Sequence, residues 1–468
     1  MNPIVIGLRE RAAPRLRLAA CGAVGLSFLC AVASADETAG PAAAHFYQAP
    51  KPSPAGAVSQ DWPRFLGPFD NASSGETKLL HQWGKEGPKR VWEMEKGSGF
   101  ACPSIVGDRL VLFHRLGGRE VLDCVQAETG QYLWTYAYEA TYRDRYGSSD
   151  GPRTSAVIAD GRVFTYGVTG WLHCVDLQKG LEIWKHDCGT EFDLAENFFG
   201  HGSTPLVVGH RLFVNLGGAG DLCAAAFDAA TGQLLWKAKH EWGASYASPV
   251  PAKIHGKECV LIFAGGESRP PTGGLLCIDA ADGQVLSATP HRADIAESVN
   301  ASSPAVAGDK VFVTESYGSG GDLIEIKPDF SARIAWHADR FGAYFMTPVV
   351  HDGCLFGSDG QSPRLADVVC YDLATGKELW RNDLGGKFGR CSILAVDGSF
   401  LCLGEFGDLA WLDLSREGAQ IKAQAKLFNA PDTWTLPAVS HGLLYISQNE
   451  RGADRKGPRL ICYDLRGE

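Results

Sequence analysis

The chain has 468 residues and a formal net charge of −10, with 45% hydrophobic and 21% charged residues. This composition is ordinary for a globular protein, and the acidic balance excludes general nucleic-acid binding, which needs a basic face. The 56 glycines and the 10% of aromatic residues favour many short strands joined by tight turns, and therefore an all-β fold.

The N-terminus has the pattern of a secretion signal. Four arginines lie within residues 9–17, an uncharged apolar run covers residues 18–32, and Ala33-Ser34-Ala35 follows as a cleavage site before Asp36. The apolar run is too short to span a bilayer as a helix, which takes about 20 residues. We predict that residues 1–35 are a cleaved signal peptide. The mature protein is then exported to the periplasm or the extracellular space and has no transmembrane segment.

Residues 36–60 are rich in alanine and proline. A segment of this composition has too little apolar surface to form a core of its own. We predict that it is a disordered linker between the signal peptide and a domain that covers residues 61–468.

That domain is built from an internal repeat. A short element of the form small-Ser/Thr-Pro-apolar-Val occurs eight times, and its second residue serves as an anchor position for each copy. The anchors are Pro103, Ala156, Pro205, Pro249, Pro304, Pro348, Ile393 and Pro437. They are 44 to 55 residues apart, close to the ~40–50 residues of a four-stranded propeller blade.

A second element, Asp-x-x-x-Gly-x-x-Leu-Trp, closes several of the repeats, as in residues 176–184 and 372–380. The eighth repeat ends near Asp464 without this element, while residues 90–94 carry an unassigned Trp92. We therefore predict an eight-bladed β-propeller of four-stranded antiparallel blades. An N-terminal strand at residues 90–94 completes the last blade, which removes an exposed sheet edge.

Twelve of the 14 cysteines lie after the signal peptide, and five of these recur at one repeat position. The five are Cys124, Cys174, Cys277, Cys370 and Cys462. Equivalent positions of different blades lie too far apart for a disulfide, whose Cα atoms must be within about 7 Å. We predict that these cysteines are small buried apolar side chains. No Cys-x-x-Cys is present, so no metal site is predicted.

The two repeat elements together resemble the repeat of the quinoprotein (pyrroloquinoline-quinone-like) β-propellers. This family includes quinoprotein alcohol and sugar dehydrogenases and also a non-enzymatic lipoprotein of the outer-membrane assembly machinery. The resemblance covers residues 62–468 and implies the fold and, for an enzyme, pyrroloquinoline quinone as cofactor. The chain departs from the dehydrogenase pattern because it has no two adjacent cysteines and no haem-binding Cys-x-x-Cys-His.

The loops that lead into the innermost strands of a propeller surround one mouth of its central channel. Residues three or four positions before the anchors, together with the arginine-rich loop at residues 142–153, are therefore candidates for ligand binding. The candidates are Arg143, Arg145, Arg153, His201, Tyr246, Asn300, Tyr344, Arg390 and Trp434. A basic and aromatic mouth suits a planar anion, because guanidinium groups pair with carboxylates and aromatic faces stack. The alternative is that these arginines form salt bridges within the chain.

These features predict a monomeric, exported binding or scaffold protein, with a small anionic ligand or a peptide at the channel mouth. Its partners would be envelope proteins. No catalytic residue is assigned. The alternative function is a pyrroloquinoline-quinone-dependent alcohol or sugar dehydrogenase, as the family resemblance implies.

Overall fold

The computed structural model describes residues 43–363 and 366–467. The predicted signal peptide, its cleavage site and residues 36–42 of the predicted linker lie outside these residues. Three strands precede the first blade: β1 (His45–Phe46), β2 (Ser73–Ser74) and β3 (Lys89–Glu95).

The described residues form eight β-sheets, each with four antiparallel blade strands, and the predicted eight-bladed propeller is confirmed. Strand β2 adds to the innermost strand of one sheet, β28 (Ser392–Val396), in parallel. Blades 1 to 4 contain, from the innermost strand outwards, β4 (Ser104–Val106), β5 (Arg109–Leu116), β6 (Arg119–Gln126) and β7 (Tyr132–Glu139); β8 (Val157–Ala159), β9 (Arg162–Tyr166), β10 (Trp171–Asp176) and β11 (Glu182–Asp187); β12 (Leu206–Val208), β13 (Arg211–Gly218), β14 (Leu222–Asp228) and β15 (Leu234–Lys239); β16 (Val250–Ile254), β17 (Lys257–Ala264), β18 (Gly274–Asp279) and β19 (Val285–Pro290). A single turn of helix, α1 (Cys188–Glu191), follows β11.

The remaining blades have the same order of strands. Blades 5 to 8 contain β20 (Ala305–Ala307), β21 (Lys310–Glu315), β22 (Gly320–Ile326) and β23 (Ala332–Ala338); β24 (Val349–His351), β25 (Cys354–Asp359), β26 (Asp367–Asp372) and β27 (Glu378–Asn382); β28 (Ser392–Val396), β29 (Ser399–Leu403), β30 (Asp408–Leu414) and β31 (Ala419–Lys426); β32 (Ala438–Ser440), β33 (Leu443–Gln448), β34 (Arg459–Asp464) and then β3.

The repeated tryptophan joins each blade to the next. Trp184 on the outer strand of blade 2 faces Cys174 of the neighbouring strand, and its indole N–H donates to the carbonyl of Ala229 in blade 3 at 3.2 Å. The repeated glycine has a matching role, because a Cβ on Gly232 would lie 2.8 Å from the Trp184 ring. The Asp-x-x-x-Gly turn of one blade is therefore shaped to receive the tryptophan of the blade before it.

The closing strand lies where the repeat count placed it. Strand β3 pairs antiparallel with β34, and Trp92 faces Cys462. The Trp92 side chain is fully buried, and its N–H donates to the Ala127 carbonyl of blade 1 at 2.9 Å. The first and last parts of the domain thus form one sheet, which seals the ring.

Residues 43–60 lie against this last blade. Strand β1 pairs with β3 as a fifth strand, with Phe46 facing Trp92, and the Lys51 N–H donates to the Asp464 carboxylate at 2.8 Å. This differs from the free linker expected from composition. The physical reason is that the outer edge of blade 8 offers unpaired backbone groups, which an extended segment can satisfy without a core of its own.

A segment that we call the N-terminal plug, residues 61–74, crosses the channel at one end. It bonds the backbone at the same repeat position of four blades, two residues beyond each anchor. The bonds join Trp62 to Ile105, Pro63 to Ile158, Arg64 to Val207 and Ala72 to Ala395. The plug therefore closes the end of the channel opposite to the loops that precede the anchors.

Candidate functional site

The residues three positions before the anchors converge on one cavity in the channel. Of the eight, seven line it: Phe100, Arg153, Gly202, Tyr246, Ala301, Phe345 and Trp434. Phe65 of the plug and Phe199 line the same cavity, whose volume is about 150 Å³. Phe65 belongs to the plug, so the plug and the loops that precede the anchors both line this cavity.

Arg153 lies at this cavity with its charge already paired. Its guanidinium forms a salt bridge with Asp144, whose side chain is fully buried, and donates to the Gly151 carbonyl at 2.6 Å. The same group lies over the rings of Tyr142 and Phe199, 5.6 Å from each centroid. An incoming anion would therefore meet a neutralised arginine flanked by aromatic faces.

Arg390 is also paired with a carboxylate and surrounded by aromatic rings, here from residues of blades 6 to 8 and the loops before them. It forms a two-point salt bridge with the buried Glu405, with Nε 3.0 Å from Oε2. Its guanidinium lies 5.0 Å from the ring centroid of Tyr344 and 5.2 Å from that of Trp434, and the Trp434 N–H donates to the same Glu405 at 2.8 Å. The Arg390 guanidinium is therefore enclosed by aromatic rings and by Glu405, and Arg390 does not line the cavity.

The structure brings four of the nine sequence candidates to the cavity lining: Arg153, Tyr246, Tyr344 and Trp434. Arg145 instead bonds Glu267 at 3.0 Å and Glu297 at 3.3 Å, which joins the arginine-rich loop to loops of blades 4 and 5. Arg143 is exposed and does not line the cavity.

His201 and Asn300 are buried behind the mouth. Burial lowers the pKa of His201 to about 4, so its ring is neutral at neutral pH. The amide of Asn300 is fully buried, and neither its nitrogen nor its oxygen has a hydrogen-bond partner among the described residues. Neither residue is part of the cavity lining.

Four aromatic residues of the lining are absent from the nine candidates: Phe65, Phe100, Phe199 and Phe345. Phe100 and Phe345 lie three positions before an anchor, so the repeat rule reaches them although the candidate list does not. Phe199 lies in Asn197-Phe198-Phe199-Gly200, and its N–H donates to the Tyr246 hydroxyl at 2.8 Å. It lies six residues before the anchor Pro205, and a wider window before each anchor would have included it. Phe65 carried no repeat signal, because the plug lies outside the repeats.

Comparison with known proteins identifies the family of this chain. The family model described as outer membrane protein assembly factor BamB (PQQ_2) matches residues 118–382, more than half of the chain. The chain belongs to this family. The predicted resemblance to the quinoprotein-like propellers is thereby confirmed.

The proteins similar to this chain include both an assembly factor and dehydrogenases. The outer membrane protein assembly factor BamB of Burkholderia pseudomallei is 26% identical over 315 residues, which is 63% of this chain and 69% of that protein. Quinoprotein glucose dehydrogenase A of Acinetobacter calcoaceticus is 31% identical over 132 residues, 26% of this chain and only 16% of the dehydrogenase. The crystal structure of the quinohemoprotein alcohol dehydrogenase of Comamonas testosteroni has a TM-score of 0.60 at 13% identity, covering 88% of this chain and 82% of that one. This structural likeness shows the shared fold.

Pyrroloquinoline quinone, which the enzymes of this fold imply, is a planar carboxylate. The described lining does not fit it, because Arg153 is the one basic residue that lines the cavity, and it is paired with Asp144. The remaining lining is aromatic or small. A cavity of about 150 Å³ is also below the ~300–1,000 Å³ typical of cofactor sites.

Proposed function

We propose that the protein is an exported binding scaffold that holds a partner by taking one aromatic side chain into the mouth cavity. The observation that carries this proposal is the convergence of five aromatic side chains on one cavity: Phe100, Phe199, Tyr246, Phe345 and Trp434. Aromatic rings attract one another in edge-to-face and offset arrangements, beyond their area burial, by about 0.5–1.5 kcal/mol per pair.

Cavity size supports a single ring as the occupant. An apolar cavity of about 150 Å³ accepts one benzene-sized molecule, and this cavity has about that volume. A side chain is a better occupant than a free anion, because Asp144 and Glu405 already neutralise the two arginines. Of the two ligands expected from the sequence, a small anion or a peptide, these observations favour the peptide.

The cell envelope is the compartment that fits this role. The family carries the name of an outer membrane protein assembly factor, and the N-terminal 35 residues have the pattern of a signal peptide. Within the described residues, no helix is long and apolar enough to cross a bilayer. We infer that residues 1–35 direct export, and that the propeller domain meets envelope proteins there.

Calorimetric titration with N-acetylphenylalaninamide tests the proposal, with N-acetylleucinamide and succinate as comparison ligands. We expect binding of the aromatic amide and its loss by at least tenfold in Ala301→Phe, which fills the cavity. Ala230→Phe, on an exposed turn, is the matched control and should bind as the wild type does. Binding of succinate in preference to the aromatic amide would overturn the proposal in favour of a small anion.

A second experiment addresses the partner. Tagged wild-type protein should retain specific envelope proteins from a membrane extract, and the Ala301→Phe variant should lose them while Ala230→Phe keeps them. Equal retention by both variants would show that partners bind elsewhere on the propeller.

A further inference from the structure

A cluster on blade 5, separate from the mouth cavity, joins a hydroxyl, an imidazole and a carboxylate in series. The Ser319 Oγ lies 3.1 Å from Nε2 of His291. On the other side of the ring, Nδ1 of His291 lies 2.7 Å from an Asp322 carboxylate oxygen. This is the order and spacing of a nucleophile, a general base and an orienting carboxylate.

Three neighbouring elements position these groups. Ser319 is the last residue of the loop between β21 and β22, Asp322 is the third residue of β22, and His291 follows β19 directly. The His291 backbone N–H donates to the Gly273 carbonyl at 3.1 Å, which fixes the start of its loop. The serine and the carboxylate are thus on one hairpin, and the histidine reaches them from the preceding blade.

The carboxylate is held in its charged form. Burial alone would raise the pKa of Asp322, but hydrogen bonds from His291 and His337 outweigh burial and lower it. An ionised carboxylate can only accept, so it selects the His291 tautomer with the proton on Nδ1. The Nε2 lone pair then faces Ser319 and can accept its hydroxyl proton.

The serine is accessible from outside. Its side chain is only partly buried, and a Cβ on the adjacent Gly318 would meet no atom within 4 Å. Among the described residues, the backbone N–H groups of Gly318 and Ser319 have no hydrogen-bond acceptor. They are free to stabilise negative charge on a carbonyl oxygen that approaches from the open side.

Another buried His–Asp pair in this protein shows what a purely structural arrangement looks like. His114 lies 2.7 Å from Asp123 through Nε2, but its Nδ1 accepts the Gly97 backbone N–H at 2.9 Å. Both nitrogens are therefore occupied by fixed groups. His291 differs because its second nitrogen faces a side-chain hydroxyl next to open space.

We propose that Ser319, His291 and Asp322 form a serine hydrolase site for small, unhindered carboxylic esters. The Ser319 oxygen bonds to the ester carbonyl carbon while its proton passes to Nε2 of His291. The imidazolium returns this proton to the leaving alcohol oxygen as the ester C–O bond breaks. Water then attacks the acyl-serine, with its proton carried by His291 back to Ser319, and the carboxylic acid is released.

Covalent labelling tests the nucleophile without a variant. The purified protein is treated with an alkyl fluorophosphonate, and modified peptides are identified by mass spectrometry. We expect one adduct, on Ser319, formed at least tenfold faster than at Ser331. Ser331 is the matched comparison because it donates to the Asp329 carboxylate at 2.7 Å without a histidine. Labelling of Ser319 no faster than Ser331 would overturn the proposal.

Hydrolysis of p-nitrophenyl acetate tests the roles of the three residues. Ser319→Ala and His291→Gln should each lower kcat by about 100-fold or more, the lower range for a positioned general base, whereas Ser331→Ala should leave it unchanged. Asp322 is a positioning residue, so Asp322→Asn should lower kcat with KM unchanged. If the serine and histidine variants hydrolyse the ester as the wild type does, with unaltered thermal melting, the cluster is only structural. Neither result depends on ligand binding at the mouth.

Discussion

The substitution Trp92→Ala tests whether the ring is sealed by the N-terminal strand. Trp92 is fully buried, its N–H donates to Ala127 of blade 1, and its ring lies 6.1 Å from that of Tyr445. Truncation of a buried aromatic costs about 3–5 kcal/mol, and loss of the hydrogen bond contributes about 1 kcal/mol of this or more. We expect the free energy of unfolding to fall by about 4 kcal/mol, measured by urea denaturation followed by circular dichroism.

Trp380→Ala is the matched control, because the chain uses the same contact there. The Trp380 N–H donates to the Ser415 carbonyl at 2.8 Å, but its side chain is only half-buried and its strand β27 is tethered to β26 by a short turn. We expect a loss of about 2 kcal/mol, since less apolar area returns to water. An equal or smaller loss for Trp92→Ala would refute closure by β3 as the reason for its burial.

Three further outcomes follow from buried charges and from the closure. Arg390→Ala leaves the Glu405 carboxylate buried without its partner and should cost about 3–5 kcal/mol of unfolding free energy; an unchanged urea midpoint would contradict the assigned pairing. Burial raises the pKa of Asp70 to about 6, although the Arg64 charge opposes this shift. The folded state therefore favours the protonated carboxyl, and this stabilisation is lost as the pH rises from about 4 to about 6. The Asp70→Asn variant cannot ionise at this position, so its gain in unfolding free energy over the wild type should be about 2 kcal/mol larger at pH 7 than at pH 4, at about 1.4 kcal/mol per pKa unit. Equal gains at both pH values would disprove it. Deletion of residues 36–97 should leave blade 8 with an open edge and give oligomers in size-exclusion chromatography, and a monomeric, cooperatively melting product would argue against that closure.

Most of the fold can be predicted from the sequence because the chain is built from a repeat. Each anchor marks the start of an innermost strand, and the residue three positions earlier must then lie at one end of the channel. This rule alone located Tyr246 and Trp434 in the cavity lining. It works because a repeated backbone places equivalent residues at equivalent positions around an axis, whatever their side chains are.

Charge pairing did not follow from that rule. Arg390 and Glu405 are separated by the hairpin of β28 and β29, and only the folded loop brings them into a salt bridge. The sequence count of arginines therefore suggested a basic mouth, whereas the structure shows a neutral aromatic one. Arg153 forms a salt bridge with Asp144, as the alternative interpretation of these arginines expects.

The sequence by itself determined the number of blades, the closing strand and the ring of positions around the channel, because these depend on periodic backbone and on Trp and Gly at fixed spacing. Tertiary structure alone decided that Phe65 lines the cavity, that the mouth arginines are neutralised, and that Ser319 meets His291 and Asp322. Those contacts arise between loops of different blades and between the plug and the repeats, where no period relates the residues. They depend on how individual loops and side chains pack, which local sequence does not specify.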